Sequence, residues 1–207
     1  TAPSGADSTR TVTNAPQPDR YVEKSKIQST GSRKPSFVAI DFETANEERD
    51  SACAVGIVVC RGDKIIKKQV FLIRPPSSKF TNTAIHQLTW RDVETEPTFA
   101  QLWPKIEKFL ANTNVLVAHN AAFDKSVLKE CCEFYNLPFP GVPWICTYRD
   151  VAVKTWPKPI LPNHQLKTVC RHHGIELNHH EALSDALAVA EIIFAAQREG
   201  WSFPVEF

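Results

Sequence analysis

Two carboxylates stand where a folded chain has least use for them. Asp41 interrupts Phe37-Val38-Ala39-Ile40-Asp41-Phe42-Glu43, a run otherwise suited only to burial. Leaving a carboxylate unpaired in such a place costs several kcal/mol even after relaxation. The remedies are a Lys or Arg partner, protonation, or a metal ion. Period-2 geometry puts Asp41 and Glu43 on one face of a strand, roughly 7 Å apart at Cα. Two like charges on one face demand cations, unless the strand end frays and solvent screens both acids.

Two further segments carry groups capable of the same chemistry. In Val115-Leu116-Val117-Ala118-His119-Asn120-Ala121-Ala122-Phe123-Asp124, a short apolar strand turns at His119-Asn120 and leaves Asp124 in the first turn of a helix. The helix dipole favours an acid at that position, so this segment alone does not separate a ligand from an ordinary N-terminal Asp. The third segment is His180-Glu181-Ala182-Leu183-Ser184-Asp185. Residues five apart on a helix are about 140° out of phase, so His180 shares a site with Asp185 only from the turn before the helix. Composition does not single out His180 from His172, His173 and His179, which together also read as a solvated or adventitious metal-binding cluster.

The elements that must position these groups are legible from periodicity. Residues 37–43 read as a buried strand and residues 52–60 as a second. The turn Arg61-Gly62-Asp63 leads into a third strand over 64–73, so the last two form a hairpin. Short helices are expected over 83–111, with Thr98 as an N-cap and a kink or break at Pro104. A strand at 115–118, a helix over 121–135 and a short strand at 144–146 follow. Asn163 is expected to cap a helix that stops at Gly174, and a last helix runs from Ala182 to Arg198 and is closed by Gly200. Small residues at Ala182, Ala186 and Ala188 allow close packing on a sheet. The order predicts an α/β fold: a three-layer, five-stranded mixed sheet flanked by helices, with the site at the carboxyl ends of its parallel strands.

The bulk numbers agree with one globular domain over residues 37–200 and a C-terminal tail over 201–207. Of 207 residues 43% are hydrophobic, enough to bury a core, and no stretch is long and apolar enough to span a membrane. Residues 1–36 are rich in Ser, Thr, Pro and charge, and read as a flexible basic tail or inter-domain linker. Their net charge is +3, against −2 for the remainder, which argues against a large basic docking groove. The N-terminus shows no secretory signal. Six cysteines without CxxC spacing, two of them adjacent, read as reduced thiols and an intracellular, cytoplasmic protein.

Taken together, the three segments resemble the three motifs of the DEDDh-class 3′→5′ exonucleases, in order and spacing. The likeness is greatest to the proofreading (epsilon) subunit of bacterial replicative DNA polymerase and its stand-alone relatives, and it covers about residues 37–198. It implies a ribonuclease-H-like fold and stepwise release of 5′-mononucleotides from a 3′ end. It also implies two divalent cations, Mg²⁺ or Mn²⁺, since an all-oxygen ligand set suits these ions. In that resemblance Asp41, Glu43, Asp124 and Asp185 are the metal ligands and His180 activates the attacking water. Thr44, Asn120 and Phe123 are implied contacts to the terminal nucleotide, although core packing accounts for Phe123 nearly as well. Thr83-Ala84-Ile85-His86-Gln87-Leu88-Thr89 is similar to the family's nucleotide-lining segment and puts His86 near the substrate, with Gln87 in place of the usual Gly. The expected substrate is a DNA 3′ end. RNA is the alternative, lowered because Thr44-Ala45-Asn46 replaces the Met-Thr-Gly of oligoribonucleases. A binding module without catalysis is the third reading. Domains of this class occur fused to polymerases, helicases and the integrase subunits that capture CRISPR spacers, so residues 1–36 suggest tethering to another module.

Overall fold

A computed structural model describes residues 36–111 and 113–204. The expected tail over residues 1–36 lies outside the described residues except for Ser36, as does the end of the C-terminal tail, 205–207.

Three strands open the domain: β1 (Ser36–Thr44), β2 (Ala52–Arg61) and β3 (Lys64–Leu72). Gly62, with φ 61°, makes the tight turn of the β2–β3 hairpin. Two short helices, α1 (Thr83–His86) and α2 (Trp90–Val93), lead to α3 (Phe99–Leu110). Then come β4 (Val115–Ala118), α4 (Ala122–Phe134) and β5 (Trp144–Cys146). After β5 the chain makes a π-helical turn over Thr147–Ala152 that runs into α5 (Val153–Thr155). Two helices, α6 (Leu166–His173) and α7 (Ala182–Arg198), complete the domain. The sheet order is β3-β2-β1-β4-β5, with β1 antiparallel to β2 and parallel to β4. This is the mixed five-stranded sheet expected from the sequence.

Strand alternation sorts β1 between two cores. Phe37 and Ala39 pack with Val189, Ile192 and Ile193 of α7, while Val38, Ile40 and Phe42 pack with Leu102, Trp103 and Ile106 of α3 and Leu128 of α4. Helices thus cover both faces, which is why β1, β2 and β4 are apolar almost throughout, while the edge strand β3 is largely exposed. Asp41 and Glu43 fall on the same alternation as Phe37 and Ala39, the α7 face.

Two local expectations differ from what forms, and one element arises where none was read. Pro104 does not break α3: Phe99, Leu102, Trp103, Ile106 and Leu110 are buried on both sides of it, and Pro104 itself is exposed. Packing therefore holds the helix across one missing hydrogen bond. Helix α6 starts two residues later than Asn163 suggests. Its N-cap is Gln165, and the Asn163 carboxamide oxygen accepts from Gln165 N at 3.1 Å, in the loop before the helix. The π-helical turn has no periodic signal in the sequence and was not expected. All six cysteines are free and buried. Among the described residues no helix is long and apolar enough to cross a membrane.

Candidate active site

The acids meet at the carboxyl end of β1. Donor oxygens of Asp41, Glu43 and Asp185 all lie within 4.8 Å of one another. Asp41 and Glu43 arrive from alternate residues of one strand, and Asp185 from the first turn of α7, where its N–H bonds Glu181 O. Asp124 approaches from α4. Parallel pairing of β1 with β4 ends at Ala39↔Val117, and beyond it Phe42 N–H donates to Asp124 Oδ1 at 3.0 Å. Asp124 is 2% exposed and sits behind the cleft wall rather than on it.

Four carboxyls in so small a space resist ionisation. Burial first, then the charges of Asp124, Asp185 and Glu43, hold Asp41 well above the ordinary carboxylate range. Burial and then Asp185 push Glu43 up to about 8. Asp124 rises to about 7, mainly through burial, against the stabilising Phe42 N–H. Burial raises Asp185 too, despite the opposing pull of His179.

The donor set fits divalent cations. Among the described residues no Lys or Arg forms an ion pair with these four acids. Asp185 Oδ1 is buried without a hydrogen-bond partner. Oxygen-only clustering of this kind suits hard ions such as Mg²⁺ or Mn²⁺.

His180 stands on the turn before α7, as the phase argument requires. Its backbone is left-handed, φ 70°, and its N–H donates to Asp185 Oδ2 at 3.2 Å. Burial and the neighbouring His179 lower its pKa below the usual imidazole value, so the ring is neutral near pH 7. His179, undistinguished in the sequence, places Nδ1 2.8 Å from Asp185 Oδ2.

These groups face a cleft of about 930 Å³. Asp41, Glu43, Thr44, His86, Asn120, Phe123, His180 and Asp185 all line it. His86 lines this cleft with its ring nitrogens turned into the protein. It is 7% exposed, Leu88 N–H donates to its Nδ1 at 3.1 Å, and its Nε2 lies 3.1 Å from Thr44 O. With both nitrogens engaged inside the protein, the ring braces the end of β1 instead of presenting a free donor to the cleft. Gln87, where the resemblance leads to Gly, adopts φ 64°. That left-handed conformation is the one Gly supplies without strain.

Phe123 packs partly on the α3–α4 core while its ring lines the cleft under the Arg49 guanidinium, 4.3 Å from the centroid. Packing and cleft lining coexist there. Asn82 was missed by sequence reasoning. Its Nδ2 lies 3.1 Å from Thr44 O, 3.2 Å from Thr44 Oγ1 and 3.0 Å from Asn46 O, tying α1 to the segment after the acid pair. An isolated Asn in a loop carries no signal of that role. His119 and Tyr148 also line the cleft. Thr147 Oγ1 is 2.9 Å from His119 Nδ1, and burial takes His119 down to about 4.

A β3-β2-β1-β4-β5 sheet with clustered acids at the end of its central strand, and a histidine on the turn before the last helix, defines a ribonuclease-H-like exonuclease of the DEDDh class. Residues 38–193 match the RNase_T family model, described as exonuclease, and the chain belongs to that family. It is 32% identical over 166 residues to a PolC-type DNA polymerase III of Clostridium perfringens (strain 13 / Type A), covering 76% of this chain and 11% of the polymerase. The chain thus corresponds to a small part of that relative. The structure of exonuclease X in complex with 5′-overhanging duplex DNA aligns with a TM-score of 0.64 at 24% identity, covering 80% of this chain and 94% of that one. The nuclease domain of 3′hExo, a DEDDh family member, bound to rAMP aligns with a TM-score of 0.69 at 17% identity, covering 81% and 94%. At these identities the structural likeness is one of fold.

Proposed function

We propose that this domain hydrolyses phosphodiester bonds stepwise from the 3′ ends of single-stranded or frayed DNA and releases 5′-mononucleotides. The observation that carries this reading is the convergence of Asp41, Glu43 and Asp185 within 4.8 Å at the wall of an open cleft, with His180 beside them.

Asp41, Glu43 and Asp185 would hold one divalent ion, and Asp41 with Asp124 a second. Such a pair supplies charge neutralisation at both the attacking and leaving oxygens of an in-line displacement. His180, neutral near pH 7, takes the proton of the attacking water at an imidazole nitrogen. Thr44, Asn120 and Phe123 contact the terminal sugar and base, Phe123 by stacking. His86 and Asn82 fix the backbone at Thr44, so they position the terminal nucleotide through that residue.

Tethering through residues 1–36 is supported by their composition and basic charge and by the match to one segment of a long polymerase. Proofreading, repair and trimming of a 3′ overhang for a bound partner are all served by this chemistry.

The test uses a 5′-labelled DNA strand incubated with the protein and Mg²⁺ or Mn²⁺. Stepwise shortening, lost in EDTA and in Asp41→Ala, is expected. Undiminished shortening by Asp41→Ala overturns the mechanism, and preferential shortening of a competing RNA strand overturns the choice of DNA.

A further inference from the structure

We propose that His179, His180 and Asp185 form a nitrogen-containing site for a borderline transition ion, Zn²⁺ foremost, that shares Asp185 with the carboxylate cluster. One donor atom from each of the three lies within 4.8 Å of the others. His179 Nδ1 is 2.8 Å from Asp185 Oδ2. The His179 and His180 rings stack with centroids 3.8 Å apart and planes 16° from parallel, so the two imidazoles lie face to face beside the carboxylate. The left-handed His180 backbone and its N–H bond to Asp185 Oδ2 hold the imidazole pair over the carboxylate. The second oxygen, Asp185 Oδ1, is buried and has no partner. The His179 side chain is 35% exposed and lines the cleft, so an ion reaches the site from solvent.

The two donor sets on this turn differ in kind. Asp41, Glu43 and Asp185 offer oxygen alone, which suits hard ions. Two imidazoles and a carboxylate suit Zn²⁺, which binds His nitrogen at about 2.0–2.1 Å and carboxylate oxygen at about 2.0–2.2 Å. Donors around one such ion stand no more than about 4.2 Å apart, so small side-chain rotations close the set. Nitrogen ligation also favours Zn²⁺, Co²⁺ and Ni²⁺ over Mg²⁺. An ion there engages an imidazole nitrogen of His180 and takes Asp185 from the oxygen cluster. Zn²⁺ therefore opposes the Mg²⁺-supported reaction. Binding itself stands whether or not the domain cuts nucleic acid; only the inhibition rests on the proposed function.

The experiment titrates Zn²⁺ into untagged protein against a chromophoric chelator, without nucleic acid or Mg²⁺. One tight Zn²⁺ per chain is expected. His179→Gln and His180→Gln should each weaken it roughly tenfold or more, while Asp41→Asn keeps most of the affinity. Co²⁺ substitution should give a visible spectrum that changes in His179→Gln. In Mg²⁺ with a labelled strand, the Zn²⁺ needed for half-inhibition should rise in His179→Gln by the same factor as the dissociation constant. Unchanged Zn²⁺ affinity in His179→Gln overturns the proposal. So does a loss in Asp41→Asn as large as that in His179→Gln, which places the ion among the oxygens. A catalytically silent domain that still shows the His179-dependent binding refutes the proposed function and leaves this site standing.

Discussion

Gly56 stands opposite Asp41 in the antiparallel β1–β2 pair, and a Cβ on Gly56 would lie 2.6 Å from the backbone nitrogen of Leu183 and overlap the Ala182 carbonyl. The first turn of α7 therefore rests on bare backbone directly beside the acid that Asp185 must reach. A side chain at position 56 would lift the helix off the sheet and draw Asp185 away from Asp41.

Gly56→Ala is accordingly expected to destabilise the domain by about 1–3 kcal/mol or more, because the obstructing atoms are backbone and cannot rotate aside. Metal affinity should fall with it. Thermal melts and a Mn²⁺ titration check this, and an unchanged melting temperature would show that the approach of α7 is not tight.

Asp41→Asn separates stability from function. It removes one of four clustered, mutually repelling acids and keeps the shape, so stability in EDTA should rise by on the order of 1 kcal/mol or more, seen as a higher melting temperature. Shortening of a labelled strand should drop on the order of a hundred- to a thousandfold. A less stable, fully active variant would contradict the electrostatic account of the site.

Burial first, and the repulsion among the acids after it, set a pH dependence for the metal-free protein. Glu43 is pushed up to about 8 and Asp124 to about 7, while unfolded carboxyls titrate near 4. Between these values the folded state holds protons that the unfolded state has released. Stability is therefore fully present below about pH 4 for these groups and is lost as pH rises through 7 to 8. His119, taken down to about 4, works the other way and weakens the fold as pH drops below about 6.5. Melts in EDTA should show falling stability from about pH 6.5 to 8.5, and Mg²⁺ should raise the melting temperature more at the upper end. A melting temperature that climbs across that range without metal would refute the shifts.

Asn82→Ala removes one donor each from the Thr44 and Asn46 carbonyl oxygens, while His86 Nε2 still serves Thr44 O. A loss of about 0.5–1.5 kcal/mol is expected. If Thr44 contacts the terminal nucleotide, KM for a DNA strand should rise more than kcat falls. Steady-state kinetics at saturating Mg²⁺ distinguish this from a purely structural loss, which would lower the active fraction and leave KM unchanged.

Much of the architecture followed from local pattern. The buried alternation of β1, the hairpin at Gly62, Thr98 as the cap of α3 and the whole span of α7 are short-range features written in neighbouring residues. The break expected at Pro104 does not form, because the cost of the proline is local, whereas the buried residues of α3 on both sides of it hold the helix through contacts distant in sequence. The π-helical turn at Thr147 was illegible for a related reason. It is held by Asp150 accepting Cys146 N–H at 2.9 Å, by Thr147 beside His119 and by Trp201 Nε1 donating to Asp150 O at 3.3 Å, partners spread from position 119 to position 201.

The site divides along the same line. By itself the sequence determined that Asp41 and Glu43 share one face of a buried strand and call for compensation by a cation, a proton or solvent, because period-2 geometry and the cost of an unpaired charge are local facts. Only the tertiary structure decided that Asp185 joins them, that Asp124 sits behind the wall with Phe42 N–H, that His86 turns its nitrogens inward, and that His179 lies against Asp185. Each depends on how closely α7, α4 and α1 approach the end of β1. That approach is set by packing between segments remote in the chain, at Gly56 above all, where the meaning of the residue is the space it leaves empty.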